Sequence, residues 1–165
     1  MIVDSYRWLS PALAAYHSSL DLHRQDPLPW SPLSKAVKES RVAVVTTAGV
    51  HLASDDGFDL DRERREPIWG DPTYRVLPRD VGPDDVELSH LHYDTSDAKE
   101  DLDVVLPVPL LRQLQSEGII GDVAARHYLF MGFQLDASEL LDHYLPEVIS
   151  HLREDAVDAV VLTPA

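Results

Sequence analysis

The chain has 165 residues, of which 44% are hydrophobic and 26% are charged, a composition typical of one globular domain and not of a disordered segment. The formal net charge of −15 disfavours binding to nucleic acid or to an anionic membrane surface, because both require clustered Lys and Arg. No cysteine is present, so these residues supply no disulfide, no thiolate nucleophile and no thiolate metal ligand. Any metal would have to be held by His and carboxylate side chains.

The sequence shows no targeting signal. Residues 1–8 lack a basic stretch followed by an apolar one, which a signal peptide would have. No apolar run approaches the roughly 18 residues that a membrane-spanning helix needs. We therefore expect a cytoplasmic protein.

The amino-terminal region carries two helix signals. Serine followed by proline is a good N-cap and first helical position, and it predicts a helix from residue 10 to about residue 25. The same pair predicts a short helix over 31–39. We expect residues 1–40 to form a helical segment that packs on the sheet of a single domain spanning 1–165.

The middle of the chain alternates predicted strands with one long loop. Residues 41–47 are short, β-branched and nearly all apolar, which predicts a buried strand. Residues 53–72 are rich in Asp, Gly and Pro and also contain several arginines, which predicts a loop long enough to be functional. Shorter strands are predicted at 74–77, 86–89 and 104–106.

The last third carries the clearest helix. Residues 109–117 predict a helix closed by glycine, and 123–130 predict a strand. A capping box opens a helix over 136–154, which Pro146 should kink. Residues 157–163 predict a final buried strand.

This alternation of strands and helices predicts an α/β fold. Because the clearest strands are continuous apolar runs, we expect a single three-layer domain, Rossmann- or flavodoxin-like, with a mostly parallel sheet of about four to six strands. Ligands bind such sheets at the carboxyl ends of the strands. Three polar segments fall at predicted strand ends: 46–49, 90–94 and 163–164.

His90, His92 and Asp94 are the strongest candidates for chemistry. In an extended segment their spacing of two residues directs all three side chains the same way. Two imidazoles and a carboxylate can hold one divalent transition metal, or they can form a metal-free site for acid–base work. The third interpretation of these residues is a structural or surface cluster without a chemical role. His51 and His127 are further candidates that only folding would bring close.

Thr46, Thr47, Gly49 and His51 lie where the first predicted strand meets its loop. The two hydroxyl groups and the glycine are suited to lining a substrate pocket, although an ordinary strand end has the same appearance. The chain contains neither a Walker loop nor the Gly-x-Gly-x-x-Gly pattern, so we expect no nucleotide cofactor.

Arg126, His127 and Tyr128 interrupt an otherwise apolar run. Arg126 is a candidate to bind a substrate carboxylate through two parallel hydrogen bonds, with Tyr128 beside it, and His127 is a candidate catalytic residue. The alternative for Arg126 is a structural ion pair with one of the many aspartates.

Four separated segments together resemble the glycine/sarcosine/betaine reductase selenoprotein B and D-proline reductase family. The resemblance runs from about residue 41 to the end of the chain, in the same order as in the family, and four blocks are more specific than any one motif. The matching segments are 44–52, 89–94, 126–132 and 158–164.

The resemblance implies a reductase that cleaves a C–N bond next to a carboxylate, works in a multi-subunit complex and attacks with selenocysteine or cysteine. In short relatives a Cys-Pro-x-Cys-like stretch follows the Leu-Thr-Pro strand end, whereas here Ala165 occupies that point. We therefore expect the attacking chalcogen to be absent from these residues. Three explanations fit this absence: the sequence is cut short before the attacking residue, a partner subunit supplies that residue, or the residue was lost together with the redox step.

Our leading expectation is a reductase-family-like enzyme or enzyme subunit that acts on a small amino- or carboxylate-bearing substrate. One alternative is a metal-dependent lyase or hydrolase that uses His90, His92 and Asp94. The other is a non-catalytic subunit that binds a partner. A partner subunit or a homodimer is compatible with all three.

Overall fold

The computed structural model describes residues 7, 9–19, 31–66 and 68–164. Contacts divide the chain into two units, Met1–Pro32 and Leu33–Ala165. In the first unit, helix α1 covers Pro11–Ser19 and starts at the predicted serine–proline pair. Its predicted end near residue 25 lies outside the described residues. The packing of residues 1–40 on the sheet of a single domain stays a prediction.

The short helix predicted over 31–39 is wrong. Only a 3₁₀ turn, Val37–Glu39, forms there, and Ala36 before it is extended with ψ of 146°. The residues of this turn are exposed, so no apolar face pulls the segment into a longer helix.

The main sheet has five strands and is organised around β1, Arg41–Thr46. Strand β1 pairs in parallel with three strands: β5, Asp122–Val123; β6, Arg126–Phe130; and β7, Ala159–Thr163. Strand β3, Tyr74–Pro78, runs antiparallel to β6. The sheet is therefore mixed.

The α/β class is confirmed, but the mostly parallel, Rossmann-like three-layer arrangement is not confirmed because β3 reverses direction. Between β1 and β3 the described residues form only the short strand β2, Val50–Leu52, and the six-residue helix α2, Leu60–Arg65. Neither carries the chain back across the sheet, as a parallel connection requires. Instead β2 pairs with β4, Val86–Leu88, in a separate antiparallel sheet.

The strand predicted over 123–130 is interrupted. Strand β5 pairs with the first half of β1 and β6 pairs with the second half, so the backbone N–H of Val44 falls between them. The Nδ1 atom of His127 accepts that N–H at 3.0 Å. A side chain thus replaces a missing backbone partner inside the sheet.

The remaining helices are α3, Ser96–Glu100; α4, Val108–Ser116; and α5, Leu145–Glu154. A π-helical turn, Leu140–Tyr144, leads into α5. Pro146 is the second residue of α5, which directly follows this π-helical turn. A kink at Pro146 stays a prediction. The strand predicted at 104–106 is wrong, because Leu102–Val104 forms a 3₁₀ turn.

Helices α4 and α5 contribute to two separate apolar clusters. One gathers Val108 and Leu111 of α4 with buried residues of β1, β3, β5 and β6. The other gathers Val148 of α5 with Tyr128 and Phe130 of β6. Across the described residues, no helix has both the length and the apolar character needed to span a membrane.

Candidate functional site

The segments that follow β1 and β4 meet at Gly49. Its backbone is left-handed, with φ of +67°, and a Cβ atom there would lie 2.2 Å from the carbonyl oxygen of Ser89. The N–H of Ser89 donates to the carbonyl of Gly49 at 2.8 Å, and the N–H of Gly49 donates to Phe130 at 3.0 Å. A glycine at this position therefore lets the 46–49 and 89–94 segments come together.

The centre of the site is a pair formed by His92 and Glu63. The Nε2 atom of His92 lies 2.5 Å from Oε1 of Glu63. The Glu63 side chain is 2% exposed, whereas that of His92 is 40% exposed. The second oxygen of Glu63, Oε2, is buried and has no hydrogen-bond partner within the described ranges. A buried carboxylate thus holds one partly exposed imidazole in place.

Glu63 was not among the predicted site residues, because it lies on α2, inside the segment that was predicted to be a loop. Asp59 caps this helix by accepting the N–H of Arg62 at 2.8 Å. The cap and the salt bridges Arg62–Glu66 and Arg64–Asp61 are signals from which the helix could have been predicted. Nothing local distinguishes Glu63 from its exposed charged neighbours.

The side chain of His90 is hydrogen-bonded to the backbone of His92. Its Nδ1 atom accepts the backbone N–H of His92 at 3.0 Å, so the neutral ring is assigned a proton on Nε2. That Nε2 is buried without a partner in the part of the chain that the structure describes. Burial, with a smaller contribution from the charge of His92, lowers the pKa of His90 to about 4. His90 is therefore neutral near pH 7.

Aromatic rings close the two sides of this histidine pair. Phe133 stacks on His92 with ring centroids 4.2 Å apart, and Tyr93 contacts His90 at 4.5 Å. Tyr93 also donates its hydroxyl to the carbonyl of Ala48 at 3.0 Å. Gly70 allows the close approach of Phe133, because a Cβ there would overlap the Phe133 carbonyl. The rings thus restrict the orientation of both imidazoles.

His51 belongs to a neighbouring hydrogen-bonded pair. Its Nδ1 atom lies 2.9 Å from the Leu52 carbonyl, which can only accept, so Nδ1 carries the proton. Its Nε2 atom then accepts the hydroxyl of Ser89 at 2.8 Å. Gly57 covers this pair, since a Cβ at Gly57 would lie 3.0 Å from Ser89 Oγ. His51 is 3% exposed and fixes Ser89, the residue before His90.

Thr46 and Thr47 join the end of β1 to β7. The hydroxyl of Thr46 donates to the carbonyl of Thr163 at 3.0 Å and accepts the N–H of Ala48 at 3.2 Å. The N–H of Thr47 donates to the same Thr163 carbonyl at 3.2 Å. These contacts hold the strand end in place, and a role for the two threonines in lining a substrate pocket stays a prediction.

Asp94 is hydrogen-bonded to Ser96 and not to either of the two histidines. It accepts the N–H of Ser96 at 3.0 Å, and this hydrogen bond lowers the pKa of its exposed carboxyl group. The strand β4 ends at Leu88, so residues 90–94 are not the extended segment that would direct the three side chains together. No group of three or more His, Asp or Glu among the described residues is arranged to hold a metal.

Arg126 lies at the amino end of β6, whereas the Gly49 junction lies beyond the carboxyl end of the parallel strand β1. Its guanidinium group donates to both carboxylate oxygens of Asp155, at 2.8 and 2.9 Å. This pair raises the pKa of Arg126 and lowers that of Asp155. The contact supports the structural alternative, and carboxylate binding by Arg126 stays a prediction.

His127 and Tyr128 are fully buried in the sheet. Burial, and then the charges of Arg79 and Arg112, lower the pKa of His127 to about 4. Burial raises the pKa of Tyr128 to about 12. Neither His127 Nε2 nor the Tyr128 hydroxyl finds a hydrogen-bond partner in the described structure. Their predicted catalytic and substrate-binding roles are not tested by this geometry.

Comparison with known proteins agrees with the four-segment resemblance. The family model of glycine/sarcosine/betaine reductase selenoprotein B matches residues 12–165. D-proline reductase subunit gamma of Acetoanaerobium sticklandii is 36% identical over 137 residues, which cover 83% of this chain and 53% of the relative. No solved structure matches.

Two further relatives are subunits of other reductase complexes. Glycine reductase complex component B subunit gamma of Carboxydothermus hydrogenoformans is 27% identical over 149 residues, 90% of this chain and 33% of the relative. Betaine reductase complex component B subunit beta of Peptoclostridium acidaminophilum is 26% identical over 148 residues, again 90% and 33%. The chain thus spans about half the length of the D-proline relative and about a third of the others.

Proposed function

This chain belongs to the glycine/sarcosine/betaine reductase selenoprotein B family, and we propose that it is a subunit of a reductase complex that cleaves a C–N bond in a small amino acid or betaine. In this proposal His92 and Glu63 move the proton that the reaction needs. The redox group of this proposal is a thiol or selenol outside these 165 residues, which contain no cysteine.

The observation that carries the proposal is the short contact between His92 and Glu63. When the C–N bond of an unprotonated amino acid is cleaved reductively, the thiol or selenol supplies the two electrons, and the nitrogen keeps the bonding pair and gains a proton as it leaves as an amine. The quaternary nitrogen of betaine leaves as a neutral amine without this proton. An imidazole with one nitrogen held by a buried carboxylate is a suitable general acid, because the hydrogen bond fixes its orientation. His90, neutral near pH 7, and Phe133 keep the ring in that orientation.

The exposure of His92 supports a site that is completed by a second polypeptide. With 40% of its side chain exposed, His92 lies at the surface. Among the described residues, the five best-formed surface cavities, of about 120 to 570 Å³, are lined by residues other than His92, His90 and Glu63. An enzyme must exclude water around the reacting atoms, so a partner surface over His92 would supply the missing wall.

The test is activity of the complex isolated from its native host through an affinity tag on this chain. We expect His92→Gln to lower kcat for the reductive cleavage about 100-fold and Glu63→Gln to lower it about tenfold, with little change in KM. Candidate substrates are D-proline, glycine, sarcosine and betaine, which the names of the relatives supply.

The matched control is His143→Gln, since His143 is an exposed histidine on the π-helical turn before α5. This variant should keep the activity of the unaltered complex. Full activity in His92→Gln would refute the proton-transfer role, and isolation of the tagged chain with no partner and no activity on these substrates would refute the subunit role.

The metal-dependent alternative stays a prediction with less support. It needs at least three ligands, and Asp94 is engaged with Ser96. Native mass spectrometry of protein purified without chelator would detect one transition metal per chain, lost in His92→Ala, if this alternative holds.

A further inference from the structure

Strand β7 forms one edge of the main sheet. It pairs with β1 through five consecutive residues, Ala159 to Thr163. No other strand within the described ranges pairs with it. Exposed edges normally carry a charge, a proline or a bulge that prevents pairing with another chain. The five residues of β7 contain none of these devices.

The side chains of β7 alternate between a covered and an uncovered face. Ala159 and Val161 pack against the apolar cluster that includes α4. Val160 and Leu162 point to the opposite face and remain 38% and 71% exposed. An exposed apolar pair beside a strand edge that no described strand covers is typical of an interface and not of a solvated edge.

The free edge also presents the backbone groups of these same two residues. The carbonyl of Thr163 accepts the N–H of Thr47 across the ladder with β1. Because successive residues of a strand direct their backbone groups to opposite sides, Val160 and Leu162 direct theirs to the open edge.

We propose that β7 pairs antiparallel with β7 of a second copy of this chain, around a two-fold axis that passes beside Val161. In that register Val160 of one copy is opposite Leu162 of the other, and both form hydrogen-bonded pairs. The two exposed apolar side chains of each copy then cover each other on one face. The interface is self-complementary, as a two-fold dimer requires.

Charge favours a second copy over an acidic or basic partner at this edge. Each chain carries a net charge of −15, which opposes self-association in general. Along β7, however, no ionisable side chain occurs, and Asp158 before it is neutralised by Lys35 at 2.8 Å. Two copies therefore meet here without placing like charges opposite each other.

The first experiment measures mass in solution by light scattering at about 100 µM protein, where an interface of even moderate affinity is populated. We expect a dimer, and we expect a monomer for the double variant Val160→Lys/Leu162→Lys. Leu141→Lys is the matched control, because Leu141 is an apolar side chain 57% exposed elsewhere on the surface, and it should remain dimeric.

Circular dichroism of each variant separates lost pairing from lost folding. A monomeric unaltered protein, or a dimer that survives the double lysine variant with its fold intact, would overturn the proposal. Recovery of the chain only in a complex with a different polypeptide on β7, located by crosslinking, would overturn the choice of a second copy.

A single cysteine provides the register test, since the chain has none of its own. In the proposed pairing Val161 is opposite itself at a non-hydrogen-bonded position, where Cα atoms are about 4.5 Å apart and a disulfide can form. We expect Val161→Cys to oxidise to a covalent dimer. Cysteine at exposed Leu141 should not crosslink at the same protein concentration, and equal crosslinking at both positions would contradict the register.

Discussion

At the scale of single residues, Gly49 allows the two segments of the site to pack against each other. Its φ of +67° and the 2.2 Å approach of the Ser89 carbonyl leave no room for a side chain. Gly118 has a similar φ of +72° but nothing within 4 Å of a Cβ atom, so it isolates the cost of the backbone conformation.

We therefore expect Gly118→Ala to lower the free energy of unfolding by about 1 kcal/mol and Gly49→Ala to lower it by about 3 kcal/mol or more. Urea denaturation followed by circular dichroism measures both. Equal losses in the two variants would show that the Ser89 carbonyl moves away without cost.

The lowered pKa of the His127 imidazole makes the stability of the fold depend on pH. Its pKa in the fold is about 4, below the ordinary value of 6.5, so the unfolded chain binds more protons between these two pH values. Its contribution to stability is therefore complete above pH 6.5 and is lost as the pH falls towards 4. The shift corresponds to about 3 kcal/mol.

The test is His127→Asn, because the amide oxygen can still accept the N–H of Val44 but does not titrate. We expect this variant to be less stable at pH 7, through lost packing, and to lose less stability than the unaltered protein between pH 7 and pH 4. His143→Asn is the exposed control. Parallel pH profiles for the unaltered protein and His127→Asn would contradict the assignment.

At the scale of elements, Arg126 ties the amino end of β6 to the end of α5. It donates to Asp155, the residue after the last turn of α5, and to the carbonyl of His151 at 3.3 Å. A cation at a helix carboxyl terminus also interacts favourably with the helix dipole. The guanidinium group is 32% exposed, so solvent weakens the ion pair but does not remove it.

We expect Arg126→Gln to lower the free energy of unfolding by about 1–3 kcal/mol, measured by urea denaturation. Kinetics of the folded fraction in the isolated complex then separate the two roles. An unchanged KM assigns Arg126 to the fold alone, whereas a KM raised tenfold or more with unchanged stability supports carboxylate binding and contradicts the structural role.

At the scale of the whole molecule, the charge of −15 shapes how the chain associates. The proposed dimer joins two acidic chains through an uncharged strand. Salt should therefore increase the affinity of the dimer, because it screens the repulsion between the two chains. Raising the salt concentration from about 0.05 to 0.5 M should lower the Kd of the dimer, whereas an interface made of ion pairs would weaken. Analytical ultracentrifugation at both salt concentrations measures this.

The sequence by itself determined the α/β class and the family. Strand β1 was predictable because residues 42–45 are a continuous apolar run, and the 89–94 segment because two of its residues are histidines two positions apart. These features depend on residues that are close in the sequence, so they can be recognised without knowledge of the fold.

Only the tertiary structure decided which groups those segments contact. Glu63 precedes His92 by 29 residues and resembles its solvated neighbours, and its function depends on where α2 packs. The direction of β3, the partner of Arg126 and the use of His127 to fill a gap in β1 pairing are likewise set by distant contacts. Burial and long-range pairing determine these contacts, and neither is encoded in the spacing of neighbouring residues.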